Sequence, residues 1–259
     1  MIKAVFFDID GTLVSFKTHQ VPQSAIKALE ELRKKNIKTF IATGRPFGKI
    51  DNLGNLKFDA YITMNGSYCM TENKEIIYKN SILQEDIRSL INYQLGDRSF
   101  PCMASTENEV YINYEDDNVR HILTLIDFEA PLVKNLDDLA NTEIFQLMGF
   151  FSQDEEKEIM KKVLPHCETT RWNPLFTDII AKGNSKQVGM DKILEYYGID
   201  ISECIAFGDG GNDIPMLRHA GLSIAMDNAD DEVKQHASYV TDSVDNDGIW
   251  NALKHFNII

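Results

Sequence analysis

The chain has 259 residues, 43% hydrophobic and 25% charged, with 15 glycines and 7 prolines, which excludes a disordered, fibrous or low-complexity chain and fits one large domain or two modest ones. A formal net charge of −14 argues against a nucleic-acid binder, which needs a basic surface to displace counterions. The same charge reads most simply as a solubility device.

The first eighty residues alternate strand and helix. Residues 2–7 form an apolar run suited to a strand buried on both faces. Residues 22–35 carry Ile26, Leu29 and Leu32 at helical spacing, with Pro22 near the start, where its missing N–H does no harm. Residues 37–42 and 60–63 are further strands, and 70–78 read as a hairpin around Glu72-Asn73-Lys74. Strands separated by helices predict parallel pairing with right-handed crossovers.

From Gln84 the order changes to helix (84–95), strands (101–104, 109–114), helix (117–126), strand (143–150), helix (154–164) and two strands (168–171, 176–181). Adjacent paired strands predict an antiparallel α+β sheet. After Gly183 the α/β rhythm resumes with a helix (186–197), a strand (204–207), a short helix (214–220), strands at 223–225 and 239–241, and a closing helix (248–256). The expected organisation is a discontinuous α/β core, residues 1–81 and 183–259, with an α+β domain, residues 82–182, inserted between.

Cys69, Cys102, Cys167 and Cys204 form no CxxC, so neither a zinc site nor a disulfide framework is expected. Each reads as a small apolar residue in a reducing, cytoplasmic compartment. MIKAVFF shows no secretory signal, and no apolar stretch has the length of a membrane span. Asn65-Gly66-Ser67 fits a glycosylation sequon, a chance match without secretion.

Four segments carry chemistry. Asp8 and Asp10 follow the first strand, at the end where α/β sheets bind ligands. Two carboxylates there repel unless a cation or a proton separates their roles, one as nucleophile beside a metal and the other protonating a leaving oxygen; alternatively they cap an exposed turn. Gly208-Asp209-Gly210-Gly211-Asn212-Asp213 again follows a strand and offers hard oxygen ligands, or is a plain glycine-rich turn. Thr43-Gly44-Arg45-Pro46 offers a hydroxyl and open backbone N–H groups to a phosphate oxygen, or Thr43 is an N-cap. Only three residues separate Gly44 from Gly48, one too few for a P-loop. Lys186 opens a helix, against the dipole preference, as an anion ligand or as a solvated surface lysine.

In order and context, DIDGTL, ATGRP, GNSK and GDGGND resemble the haloacid dehalogenase (HAD) superfamily, and in particular its Cof-like sugar-phosphatase branch. Met64-Asn65-Gly66, the 225–229 segment and Asp247-Gly248-Ile249 extend the likeness, with Asp227 standing where the family usually has glycine. The resemblance implies a Rossmann-like core under a type II α+β cap, and a phosphatase that forms an aspartyl-phosphate on Asp8. Asp10 would protonate the leaving alcohol and then activate water. Magnesium would be held by Asp8, the Asp10 carbonyl and Asp209, with Asp213 in support. Thr43, Gly44, Arg45, Lys186 and Asn212 would hold the phosphoryl group or substrate. The partner implied is a small phosphate ester, a sugar phosphate first and a phosphorylated cofactor such as pyridoxal phosphate or flavin mononucleotide second. A non-catalytic sensor on the same fold is the non-enzymatic alternative. Arg171, Trp172 and Asn173 are candidate selectors in the cap. The sequence sets no oligomeric state.

Overall fold

The computed structural model describes residues 1–96 and 99–259, and of Trp172 only the backbone. In chain order, β1 (Ala4–Phe7), α1 (Gln23–Lys34), β2 (Lys38–Ala42), β3 (Ala60–Thr63), β4 (Tyr68–Thr71) and β5 (Ile76–Lys79) build the first half of one sheet. Then follow α2 (Gln84–Gln94), β6 (Cys102–Ser105), β7 (Val110–Ile112), α3 (Asp117–Leu125), β8 (Leu132–Val133), β9 (Gln146–Gly149), α4 (Gln153–Lys162), β10 (Cys167–Asn173) and β11 (Phe176–Ala181). The chain returns through α5 (Lys186–Tyr197), β12 (Cys204–Gly208), α6 (Ile214–His219), β13 (Leu222–Ala225), α7 (Asp231–Lys234), β14 (Tyr239–Val240) and α8 (Gly248–His255).

Among the described residues, the first sheet has the order β14-β13-β12-β1-β2-β3-β4-β5 and the second β10-β11-β9-β6-β7-β8. The first is parallel from β14 to β3 and antiparallel through β4 and β5. The second is antiparallel except for β7 with β8. The α/β architecture is as expected.

The reason lies in which faces are covered. Val5 and Phe7 pack with Leu29, Leu32 and Leu253 on one side of the first sheet. Ala4 and Phe6 pack with Met190, Ile193 and Met216 on the other. A strand buried on both faces needs no polar alternation, which is why β1 reads as a continuous apolar run. In the second sheet Cys102, Ala104 and Leu147 meet α2 and α4 through Ile87, Leu90 and Ile159. Its other face carries Met103, Val110 and Phe176, packed with Ile122 of α3 and touched by Phe16 from the first unit.

Two short elements escaped the periodicity. β8 is two exposed residues paired only to β7, and α7 is a single four-residue turn. Neither is long enough to show a period. Pro22 caps α1 rather than lying inside it. The two crossings between the sheets meet at the buried Asn184, whose Nδ2 donates to Ser67 Oγ (3.0 Å) and the Asn80 carbonyl (3.1 Å) and whose Oδ1 accepts from Asn80 Nδ2 (2.9 Å). The four cysteines are free and buried, and among the described residues no helix is long and apolar enough to cross a membrane.

Candidate active site

The carboxyl ends of β1, β2 and β12 converge on one cavity of about 410 Å³, whose other wall comes from the second sheet and α3. Asp8 follows β1, and its N–H donates to the Phe207 carbonyl (3.1 Å), continuing the parallel ladder to β12. Gly11 turns the chain with φ +92°, and a Cβ there would lie 2.1 Å from Asp209 Oδ2. Only glycine lets these two loops approach so closely.

Lys186 is fully buried, and its Nζ donates to Asp8 Oδ1 and Asp213 Oδ1, both at 2.6 Å. It is not the solvated lysine that its place on the helix allows. Burial pushes its ammonium down, but Asp213 and Asp8 together outweigh that and hold it charged. Asp213 Oδ2 accepts from the N–H groups of Asp209 and Gly210, both at 3.0 Å. Both oxygens of Asp213 are therefore engaged by protein donors. Asp209 is held by Thr12 Oγ1 (2.7 Å) and Asn228 Nδ2 (3.1 Å).

One oxygen each from Asp8, Asp209 and Asp213 lie within 4.8 Å of one another. Burial, then neighbouring carboxylates, push Asp8 up to about 7 against the pull of Lys186. Burial, then Asp8 and Asp213, likewise push Asp209 well up. Three hard oxygen donors whose charges raise each other's proton affinity fit a divalent cation, which would relieve the repulsion.

Thr43 follows β2 and is buried, with its Oγ1 accepting from the Arg45 N–H (3.1 Å). This is a local turn bond and not a helix cap. The Gly44 carbonyl accepts from Gln146 Nε2 (3.1 Å). Arg45, expected to hold the phosphoryl group or substrate, lines the cavity and grips Asp10 through Nε to Oδ2 (2.7 Å) and Nη2 to Oδ1 (2.8 Å). Asn212 Nδ2 donates to Asn65 Oδ1 (2.9 Å).

Asn65 sits in the left-handed region at φ 53°, which asparagine tolerates. Its Nδ2 reaches Gln146 Oε1 and Asp178 Oδ2, both at 3.0 Å. Burial pushes the Asp178 carboxyl up to about 7, opposed by the Asn65 hydrogen bond and the Lys186 charge. Gln146 and Asp178 carry no motif in the sequence and enter the site through strand pairing of β9 with β11.

The cavity wall supplied by the second unit is mostly apolar, with Met103, Val110, Leu125, Phe128 and Met148 facing the acidic end. Arg171 lines it but is held by Glu156 (2.8 Å) and by the Phe151 and Pro174 carbonyls. Asn173 Oδ1 accepts from the Leu175 N–H within its own turn, and the Trp172 side chain lies outside the description.

A parallel sheet with an acidic, lysine-backed cluster at its carboxyl edge defines the class: an α/β enzyme equipped for phosphoryl transfer from an anionic ester. The family model for haloacid dehalogenase-like hydrolases matches residues 5–253, and the chain belongs to that family; it is a phosphatase. It is similar to a putative phosphatase, YkrA, of Bacillus subtilis, at 36% identity over 99% of this chain and 98% of that one. It is also similar to the 5-amino-6-(5-phospho-D-ribitylamino)uracil phosphatase YcsE of the same organism, at 28% identity over 98% and 96%. The solved structure of a HAD subclass IIB sugar phosphatase superposes with a TM-score of 0.93 at 44% identity, covering 99% of this chain and all of that one.

Proposed function

We propose that the protein hydrolyses small phosphate monoesters with Mg²⁺, using Asp8 as nucleophile and Asp10 as acid and base. The observation that carries this is the Asp8 carboxylate at a strand end, paired to the buried Lys186 and crowded by two further carboxylates within 4.8 Å. Such crowding serves an anionic substrate only with a cation present. Asp8, Asp209 and the Asp10 carbonyl would hold Mg²⁺, which supplies charge neutralisation at the phosphoryl oxygens. Asp213 fixes Lys186 and the 209–210 backbone.

An Asp8 oxygen attacks phosphorus, the ester P–O bond breaks, and the departing oxygen takes a proton from Asp10. Water then attacks the aspartyl-phosphate, its proton passes to Asp10, and phosphate leaves Asp8. Thr43, Gly44, Lys186 and Asn212 orient the phosphoryl group, a task of positioning and charge more than covalent chemistry.

Residues 82–182 act in this reading as a cap over the core formed by 1–81 and 183–259, excluding bulk water. The protein is assigned to the cytoplasm on its four free, buried cysteines. Sugar phosphates are the first substrate class, supported by the likeness to a sugar phosphatase at 44% identity. A phosphorylated cofactor with a flat ring is the second, favoured by the apolar wall of Met103, Val110, Phe128 and Met148 and by relatives that act on a ribitylaminouracil phosphate. Phosphate release from a panel of both ester types, with and without Mg²⁺, decides between them. No release from any ester, with Asp8→Asn indistinguishable from wild type, would sink the proposal.

A further inference from the structure

The Arg45 guanidinium joins three parts of the molecule. Nε and Nη2 take the two oxygens of Asp10 at 2.7 and 2.8 Å, a bidentate fork that fixes the carboxylate in rotation. Nη2 also donates to the Ile126 carbonyl (2.5 Å) and Nη1 to the Lys49 carbonyl (3.3 Å). The remaining contact of Nη1 is Asp51, 3.9 Å away. The side chain is only 5% exposed, and four of its five N–H groups are spent on these protein acceptors.

Ile126 is the C-cap of α3, in the second unit. The last carbonyls of a helix lack intrahelical donors and carry the negative end of its dipole. The last turn of α3 holds no basic residue, so the positive complement to that helix end comes from across the cavity. The clasp is wider than one bond. Phe128 lies 5.8 Å from the guanidinium carbon, and Lys49 pairs with Glu129 at 2.7 Å. The loop of residues 45–49 thus grips residues 126–129 of the opposing unit.

We propose, resting on the reading of 82–182 as a closing cap, that Arg45 is a positioning residue that couples closure to the aim of Asp10. Closure brings the Ile126 carbonyl that fixes the guanidinium, and the guanidinium fixes the plane of the Asp10 carboxyl. When the cap lifts, the Ile126 acceptor is lost and Asp10 loses its alignment with the ester oxygen. Proton delivery to the leaving oxygen, and its return from water in the second step, then occur only in the shut site.

The test compares wild type, Arg45→Ala, Arg45→Lys and Phe128→Ala, with Mg²⁺, on two probes. Glucose 6-phosphate has a leaving alcohol that needs a proton; 4-nitrophenyl phosphate has one that hardly does. Arg45→Ala should lose kcat on glucose 6-phosphate by about 100-fold, the lower range of general acid–base contributions, with KM within about threefold. The rapid-quench burst of nitrophenol should fall far less, and added guanidinium ion should restore part of the sugar-phosphate rate. Phe128→Ala, which removes the ring beside the guanidinium, should show the same leaving-group-selective loss on a smaller scale. Equal losses on both probes, or a raised KM at unchanged kcat, would overturn the proposal. If Arg45→Ala does not fold, the ratio of the two rates in Arg45→Lys and Phe128→Ala decides, and an unchanged ratio in both overturns it. Asp8→Asn tests the phosphatase reading by itself: if it still releases phosphate, that reading fails whatever Arg45 does.

Discussion

Replacing Lys186 by Met keeps most of the stem and removes the charge. The side chain is fully buried and donates to two carboxylates at 2.6 Å. Its loss leaves Asp8 and Asp213 buried without a countercharge, and removing one partner of such a pair costs about 3–5 kcal/mol. For a chain of this size each kcal/mol lowers Tm by roughly 2–4 °C, so a drop of about 6–20 °C is expected at pH 8. Asp8 is already held near 7, so at pH 6 the variant escapes part of the cost by taking up a proton, and the drop should be smaller. Millimolar Mg²⁺ should restore part of the loss at pH 8, because it supplies positive charge to the native state alone. Phosphate release should fall by roughly 10²–10³, the range for losing one electrostatic group at a transferring oxyanion. Differential scanning calorimetry at both pH values, with and without Mg²⁺, reads all of the thermal effects. A variant that melts with the wild type under all four conditions would refute the reasoning.

Asp178 gives a pH signature. Its folded-state value, about 7, lies above the ordinary carboxyl value of 3.8, so between these limits the folded protein holds a proton that the unfolded chain has released. Stability from this group is therefore full below about pH 4 and falls as pH rises to about 7, with a slope of at most about 1.4 kcal/mol per unit. Urea titrations of wild type and Asp178→Asn at pH 5, 6, 7 and 8 should show wild type losing ground to the variant up to about pH 7; a constant difference contradicts this. Gly11→Ala forces a Cβ to 2.1 Å from Asp209 Oδ2 at φ +92°. Beyond the roughly 1–2 kcal/mol of backbone strain, it should displace Asp209 and weaken the Mg²⁺-induced rise in Tm, and an unaltered rise would show that the loops do not need this approach.

The strands of the first sheet were legible because burial on both faces leaves an unbroken apolar run, as in Ala4–Phe7 and Cys204–Gly208. The two acidic segments and the hydroxyl segment were legible because each follows a strand end, and parallel pairing of β12, β1 and β2 brings those three ends together. Lys186 was not readable as a buried ion, since its partners lie 178 and 27 residues away and helix position alone favours solvent. Arg45 was readable as a site residue but not as the partner of Asp10, because its orientation depends on a backbone carbonyl 81 residues on. Gln146 and Asp178 had no local signal at all. They reach Asn65 only because β9 and β11 pair, a fact of tertiary register and not of motif.

The knot of hydrogen bonds at Asn184 has a historical consequence. It ties the outgoing and returning stretches of the polypeptide together at Ser67, Asn80 and Asn184, so the hundred-odd residues beyond it leave and rejoin the backbone at one place. Met103, Val110 and Met148 can therefore drift by mutation, reshaping what the cavity admits, while Asp8, Asp209 and Lys186 keep their spacing. In such a chain, heredity can experiment on one side of the ester bond and conserve the other.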